Sequence, residues 1–300
     1  MSSRKEDRRR TEQRLASSKN LDSMTALEIV RLMNREDRKV AAAVRGELPA
    51  IARAVDAIVA AMRGSGRLIY VGAGSSGRMA VLDAAECPPT FGISRNQMVA
   101  LIAGGRRAVT GAVEGAEDSA ANGARDLRRL KLRRKDVVLG IAASGTTPYV
   151  LGAMKFARGR GATTIAVMAN RDMPLARLAK IAIGVEVGAE VLTGSTRLKA
   201  GTSQKMVLNM LSTAVMVKLG HVYENLMIDA VLTNKKLQAR AVRILMEASG
   251  ASVSAAEHAL RAAGHSMRVG LVMLKLRSGA SEARKKLAAA RGDLRLALVE

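Results

Sequence analysis

Tyr70-Val71-Gly72-Ala73-Gly74-Ser75-Ser76-Gly77-Arg78 decides how the rest of this chain is read. An apolar run, Leu68-Ile69-Tyr70-Val71, enters a loop of glycines and hydroxyls, and helix-forming residues follow from Met79 to Ala85. That order makes an anion cradle: glycines let backbone N–H groups turn inward, hydroxyls add donors, and a helix N-terminus supplies partial positive charge. A phosphorylated small molecule is the natural guest. The spacing also satisfies G-x-G-x-x-G, the mark of dinucleotide sites, but these need an acidic residue about 20 positions on for the ribose. None stands around Gln97; the nearest acids are Glu86 and Glu114. The paired serines suit a compact phosphate better than a pyrophosphate. A glycine turn without a ligand would give the same spacing.

Beyond this loop, short apolar runs recur at Leu68–Val71, Met98–Ile102, Val137–Ala142, Thr164–Met168 and Ile181–Val187. Each is nearly uninterrupted, as strands buried on both faces are. Helix-like stretches at 75–85, 107–130, 147–158 and 173–179 separate most of them, which implies βαβ units and a parallel sheet covered by helices. Ligands of such sheets bind at the carboxyl ends of the strands. Two further hydroxyl-rich loops fall in that position, Ala143-Ser144-Gly145-Thr146-Thr147-Pro148 and Thr193-Gly194-Ser195-Thr196-Arg197-Leu198-Lys199-Ala200-Gly201-Thr202. Three such loops favour one shared polar pocket over three independent turns.

The flanks read as helical. Thr25-x-x-Glu28 has the form of a capping box opening a short helix with Leu27, Val30 and Met33. Residues 36–63 place Val40, Val44, Ile51, Val55, Ile58 and Met62 at buried positions, with Pro49 marking a break or helix start. After Ser203, an apolar stripe of Met206, Val207, Met210, Leu211, Ala214 and Val217 predicts a helix over 205–219, continued by 226–231 and 237–246. Residues 254–300 read as several short helices around Ala256, Leu260, Ala263, Val269, Val272, Leu274, Leu287 and Leu294. The expected organisation is an N-terminal helical arm (1–57), a sugar-phosphate-binding domain (58–221) and a small helical C-terminal subdomain (222–300).

Composition narrows the function classes. Aromatic residues make up only 2% of 300 residues, so stacking platforms for single-stranded nucleic acid are scarce. The net charge of +23 raises a polyanion as partner. Yet Arg8-Arg9-Arg10, Arg128-Arg129, Arg133-Arg134-Lys135, Lys235-Lys236 and Lys285-Lys286 lie far apart along the chain. The charge therefore reads as a solubility trait, with no specific nucleic-acid partner expected. The single cysteine, Cys87, excludes an intrachain disulfide and a cysteine-based metal cluster. With no histidine nearby in sequence, Cys87 reads as a packed thiol rather than a nucleophile. His221, His258 and His265 have no metal-ligand spacing; the last two read as surface residues, the first as close to the site. No apolar run reaches the ~18 residues of a membrane span, and Met1–Arg14 is charged without an apolar core. A cytoplasmic protein with no membrane partner is the expectation.

Several longer segments carry a family resemblance. Leu82-Asp83-Ala84-Ala85-Glu86-Cys87-Pro88-Pro89-Thr90, Val113-Glu114-Gly115-Ala116-Glu117-Asp118-Ser119 and Gly140-Ile141-Ala142-Ala143-Ser144-Gly145 resemble signature segments of the N-acetylmuramic acid 6-phosphate etherases. So does the run from Glu190 to Thr202, and the likeness extends from Thr11-Glu12-Gln13-Arg14 to Asn225-Leu226-Met227-Ile228-Asp229. The resemblance implies a SIS-type three-layer αβα sandwich with a five-stranded parallel sheet, usually in a homodimer, with no metal or organic cofactor. It implies a carbon–oxygen lyase that cleaves the lactyl ether of a phosphosugar, in the recycling of cell-wall amino sugar.

By that resemblance Glu86 is the proton donor and Glu117 the second acid/base residue. Read without it, Glu86 ends a helix before Pro88-Pro89, and Glu117 is one of three acids near a helix start, where acids commonly answer the helix dipole. The phosphate is expected on Ser75, Ser76, Ser144 and Thr147, with backbone help near Gly74 and Gly145. Ser195, Thr196 and Lys199 are further pocket candidates, although Lys199 reads equally as a solvated charge. Thr146 stands where the family usually has arginine. Glucokinase regulatory proteins share the fold and similar loops, so a non-catalytic sugar-phosphate sensor is the alternative; those proteins are about twice this length.

Overall fold

In the computed structural model, residues 9–299 are described; the expectations for Met1–Arg8, including Arg8 of the first basic cluster, lie outside them. A capping box opens the first long helix, α1 (Ala26–Arg45): Thr25 accepts from the Glu28 N–H, and the Glu28 carboxylate accepts from the Thr25 N–H at 2.8 Å. The helix is longer than the short one expected, and its inward face is Leu32, Glu36, Val40 and Val44. Leu27 and Val30 are more than half exposed, so they do not belong to that face. Pro49 sits in the first turn of α2 (Leu48–Arg63), which buries Ile51, Val55, Ile58 and Met62.

The alternating part follows as β1 (Leu68–Gly72), α3 (Gly74–Phe91), β2 (Met98–Ile102), α4 (Arg107–Thr110), α5 (Ala120–Arg129), β3 (Val137–Ile141), α6 (Pro148–Gly159), β4 (Thr163–Met168), α7 (Pro174–Leu178) and β5 (Ile181–Gly184). The five strands form one parallel sheet in the order β2-β1-β3-β4-β5. Every residue of β1 and β3 is buried, which is why these runs carry no polar alternation. Side chains alternate between faces. Ile69, Val71, Val138 and Ala166 pack with Leu127 of α5, Val150 and Met154 of α6 and Leu175 of α7. On the other face the Tyr70 hydroxyl reaches Asp83 of α3, and α2 packs on β3 and β5. This is the expected αβα sandwich.

The helix expected over 107–130 is broken into α4, a single 3-10 turn (Ala116–Asp118) and α5. Glycines break it: Gly111, just after α4, is extended (φ −142, ψ 170), and Gly115 has positive φ, conformations that helix interiors exclude. The third strand-end loop is also shorter than expected, because α8 (Lys199–Lys218) begins inside the Thr193–Thr202 run.

Contacts divide the chain into two compact units, Met1–Ala84 with Arg95–Thr213, and Ala85–Ser94 with Ala214–Glu300. The second contains α9 (Lys235–Ser249), α10 (Val253–Ala262), α11 (Met267–Leu276), α12 (Ala280–Ala289) and α13 (Leu294–Ala297). Leu245, Leu260, Val272, Leu287 and Leu294 share its core. Residues 226–231 are not the helix expected. Ile228 is buried and Asp229 accepts from both His221 and Arg268, so tertiary ties outweigh the local helical pattern there. Val217, placed in the buried stripe by its spacing, is 46% exposed.

Candidate active site

The first loop is short because α3 starts at Gly74, two residues after β1 ends. Its glycines have separate duties. A Cβ on Gly72 would stand 2.8 Å from the Gly77 backbone, and one on Gly77 would meet the Ile102 side chain at 2.6 Å. These two glycines let helix and strand touch. Gly74 has φ +51 and open space where a Cβ would project. Ser75 is half-buried and Ser76 is buried, both in the first turn of α3. First-turn N–H groups have no acceptor within their own helix.

The second loop follows β3, the sheet neighbour of β1. Gly145 has φ +71, and a Cβ there would lie 2.5 Å from Met173, so only glycine fits. Its N–H is already used, donating to the Ala142 carbonyl at 3.1 Å. Ser144 accepts from the Thr146 N–H at 3.2 Å and from the Thr146 hydroxyl at 3.1 Å. Thr146, at the position where arginine was expected, thus orients the serine. Thr147 precedes α6 but makes no capping bond with its side chain. Between β1 and β3 the strand order reverses direction, the place where open α/β sheets form a crevice at their carboxyl ends. Two helix N-termini with three serines and Thr147 flank that crevice.

The third loop leaves β5, an edge strand separated from β3 by β4. Ser195 and Thr196 are half-buried. Lys199 is not a solvated charge. It is 2% exposed, and its ammonium lies 2.9 Å from the Glu36 carboxylate. Burial pushes the Glu36 carboxyl up, but hydrogen bonds from Lys39 and Lys199 prevail and hold it below its usual value. Glu190, fully buried, accepts from the N–H groups of Lys199 (3.0 Å) and Ala200 (2.9 Å) and so caps α8. Burial raises its pKa.

Glu86 and Glu117 are both exposed. Glu86 does not end its helix: α3 continues to Phe91 through Pro88 and Pro89. Two helical N–H donors are lost there, while the Thr90 hydroxyl donates to the Glu86 carbonyl at 2.7 Å and Gly92 resumes the pattern on Pro88. Glu117 sits in the 3-10 turn before α5, whose N-cap is Ser119. Cys87 is buried. His258 and His265 are exposed, and the His221 ring nitrogen bonds to Asp229 at 2.9 Å. Among the described residues no three His, Cys, Asp or Glu side chains gather as metal ligands, and no helix is long and apolar enough to cross a membrane.

Spacing gave no hint of Asp83, one turn before Glu86. It is buried and accepts from the Tyr70 hydroxyl (2.7 Å) and the Ser212 hydroxyl (3.0 Å). Burial nonetheless raises its pKa. The network ties α3 to β1 and α8. A cavity of about 590 Å³ opens at the opposite, amino end of the sheet, beside Arg67, Gln97 and Arg133, away from the hydroxyl loops.

Residues 50–158 match the family model of the glucokinase regulatory protein N-terminal SIS domain, and residues 117–214 match that of the SIS domain. The N-acetylmuramic acid 6-phosphate etherase of Serratia proteamaculans (strain 568) is 53% identical over 288 residues, 96% of this chain and 97% of that protein. The chain belongs to the N-acetylmuramic acid 6-phosphate etherase family. The etherase of Yersinia pestis (strain Pestoides F) is 52% identical over 96% of this chain and 98% of its own length. Among solved structures, the phosphoheptose isomerase of Francisella tularensis superposes with a TM-score of 0.50 at 18% identity, covering 65% of this chain and all of the isomerase. That of Neisseria gonorrhoeae gives 0.50 at 18%, over 64% and 99%. These two show a shared fold. The etherase family's sheet therefore presents, in this member, serine-bearing loops on neighbouring strands.

Proposed function

We propose that this chain is a lyase that cleaves the D-lactyl ether of N-acetylmuramic acid 6-phosphate, giving N-acetylglucosamine 6-phosphate and D-lactate. The observation that carries the reading is the pair of serine-bearing loops, each opening a helix, on the adjacent strands β1 and β3. A phosphate there would be held by Ser75, Ser76, Ser144 and Thr147, with first-turn N–H groups of α3 near Gly74. Gly145 contributes shape rather than a donor. Ser195 and Thr196 serve the rest of the sugar, and Lys199 acts through the fold. The etherase relatives, half identical over nearly the whole chain, support the choice of substrate.

An ether oxygen at C3 is a poor leaving group. Opening the sugar ring exposes an aldehyde at C1, which acidifies the C2 proton. One carboxylate removes that proton while a carboxylic acid protonates the departing lactate oxygen, leaving a C2–C3 double bond. Water then adds its oxygen to C3 and a proton returns to C2, so the net change is hydrolysis. We assign proton donation to Glu86 and the second acid/base role to Glu117; two carboxyls in different settings can hold opposite protonation states. Both are exposed, so each can exchange protons with water between the two half-reactions. The same reading takes the protein as a homodimer, which sedimentation would check.

Incubation with the substrate in deuterated, oxygen-18 water, followed by mass spectrometry, tests the scheme. Deuterium at C2 and oxygen-18 at C3 of the product are expected. Product with oxygen-18 in the lactate instead would mean cleavage on the other side of the ether oxygen. The match to a glucokinase regulatory protein domain favours a second reading, a sugar-phosphate sensor. Stabilisation by the phosphosugar without release of lactate would select it.

A further inference from the structure

We infer that Glu12 is a sugar-binding carboxylate of this site, placed there by a clasp between Thr11 and Asn170. The inference rests on the reading of the strand-end loops as a phosphosugar site and adds a residue that accepts from the sugar rather than donating to the phosphate.

Asn170 follows β4 and is 2% exposed. Its side-chain N–H₂ donates to the Ala143 carbonyl, in the second loop, at 3.0 Å, and to the Thr11 hydroxyl at 3.0 Å. Its side-chain oxygen accepts from the Thr11 N–H at 3.4 Å. Thr11 is completely buried. The N-terminal segment is therefore fastened, by a two-way amide–threonine contact, at the carboxyl ends of β3 and β4. No neighbouring residue in sequence requires this; the two partners are 159 positions apart.

Glu12 is the next residue. Its Oε2 lies 3.7 Å from the position a Cβ would take on Gly194, so it stands against the third loop, just before Ser195 and Thr196. It is half-buried, and its carboxylate accepts from the Thr11 hydroxyl at 3.5 Å. Among the described residues it has no ion pair, in a chain with 49 Lys and Arg against 26 Asp and Glu. Other sheltered carboxylates here are answered either by cations (Glu36 by Lys199, Glu47 by Arg171, Asp136 by Arg67, Asp229 by Arg268) or by two close protein donors each (Asp83 by the Tyr70 and Ser212 hydroxyls, Glu190 by the Lys199 and Ala200 N–H groups). A sheltered carboxylate left without a cation, at the ligand end of the sheet, has acceptor capacity to offer. It repels a phosphate, so its partners are neutral donors: sugar hydroxyls or an acetamido N–H.

Binding of N-acetylglucosamine 6-phosphate and of inorganic phosphate is measured by calorimetry for wild type, Glu12→Ala, Glu12→Gln, Thr11→Val and Thr11→Ser. Losing a hydrogen bond to a charged acceptor is expected to weaken the sugar phosphate about 10- to 100-fold in Glu12→Ala. Phosphate alone should bind within about twofold of wild type, since the carboxylate does not touch it. Glu12→Gln keeps one acceptor and falls between. Thr11→Val removes the clasp hydroxyl and shifts towards Glu12→Ala, while Thr11→Ser restores binding. If Thr11→Val does not fold, the Glu12 variants decide alone. Wild-type affinity for the sugar phosphate in Glu12→Ala overturns the inference, as does an equal loss of phosphate. A wild type that binds through Glu12 yet releases no lactate refutes the proposed reaction and leaves this inference standing.

Discussion

The ammonium of Lys199 lies 2.9 Å from the carboxylate of Glu36, with both side chains nearly removed from solvent. The contact joins the start of α8 to the middle of α1. It gives Lys199, a pocket candidate by sequence, a structural tie as well. Replacing one member of a buried pair leaves the other charge uncompensated, at a cost of about 3–5 kcal/mol. Glu36→Gln, which strands Lys199, should lose stability of that order in urea unfolding, and adding Lys199→Met should recover part of it; Lys199→Met alone should lose less, because Lys39 still pairs with Glu36 at 2.6 Å. Unchanged stability with a raised KM would return Lys199 to the substrate.

Asp136 contributes an acid-sensitive part of the stability. Burial pushes its carboxyl up, but hydrogen bonds from Arg67 and Arg133 outweigh this and bring it down from 3.8 to about 2. A lowered folded value means stability that is complete above about 3.8 and disappears as pH falls through about 2. The shift is worth on the order of 2 kcal/mol. Asp136→Asn should flatten the pH dependence of unfolding between those values. A variant with the wild-type acid profile would place the acid limit on other carboxylates.

Asp83 works in the opposite sense. Its folded value is raised by burial, so its contribution favours folding in acid and fades as pH rises. Tyr70→Phe removes a donor to the ionised form. The expected loss is about 1–2 kcal/mol at pH 7 and less at pH 4. Denaturation at the two pH values checks this, and equal losses at both would show that Tyr70 acts through packing alone.

Glu86→Gln and Glu117→Gln should each lower the rate of lactate release by about 10²- to 10⁴-fold. Both side chains are exposed, so melting temperatures should stay within about 2 °C of wild type. Activity surviving either change would remove that residue from the proposed scheme.

The sheet was legible because the central strands β1, β3 and β4 are buried on both faces and the edge strands β2 and β5, though partly exposed, are still apolar runs. The faces of α2 and the C-terminal helices were legible from spacing, and the capping box at Thr25 from two residues. What escaped shares one property: it joins residues distant in the chain. Lys199 meets Glu36, Asp83 meets Ser212 and Thr11 meets Asn170 across 163, 129 and 159 positions, and nothing local marks either partner. The passage of α3 through Pro88 and Pro89 escaped for another reason. A proline pair ordinarily signals a stop, and only the surrounding hydrogen bonds show that the helix carries on. At the site, the serines were readable from composition, whereas the arrangement of Ser144 under Thr146 needed coordinates.

The fastening of Thr11 to Asn170 bears on how small this fold can be made. A fragment trimmed to begin at Ala26 would retain every strand and every long helix, yet take Thr11 from the Asn170 amide, whose remaining bond holds the Ala143 carbonyl just before Ser144. Shortening from the front should therefore loosen ligand recognition well before it unravels the sheet, and fusions placed immediately ahead of Thr11 should be designed with a spacer.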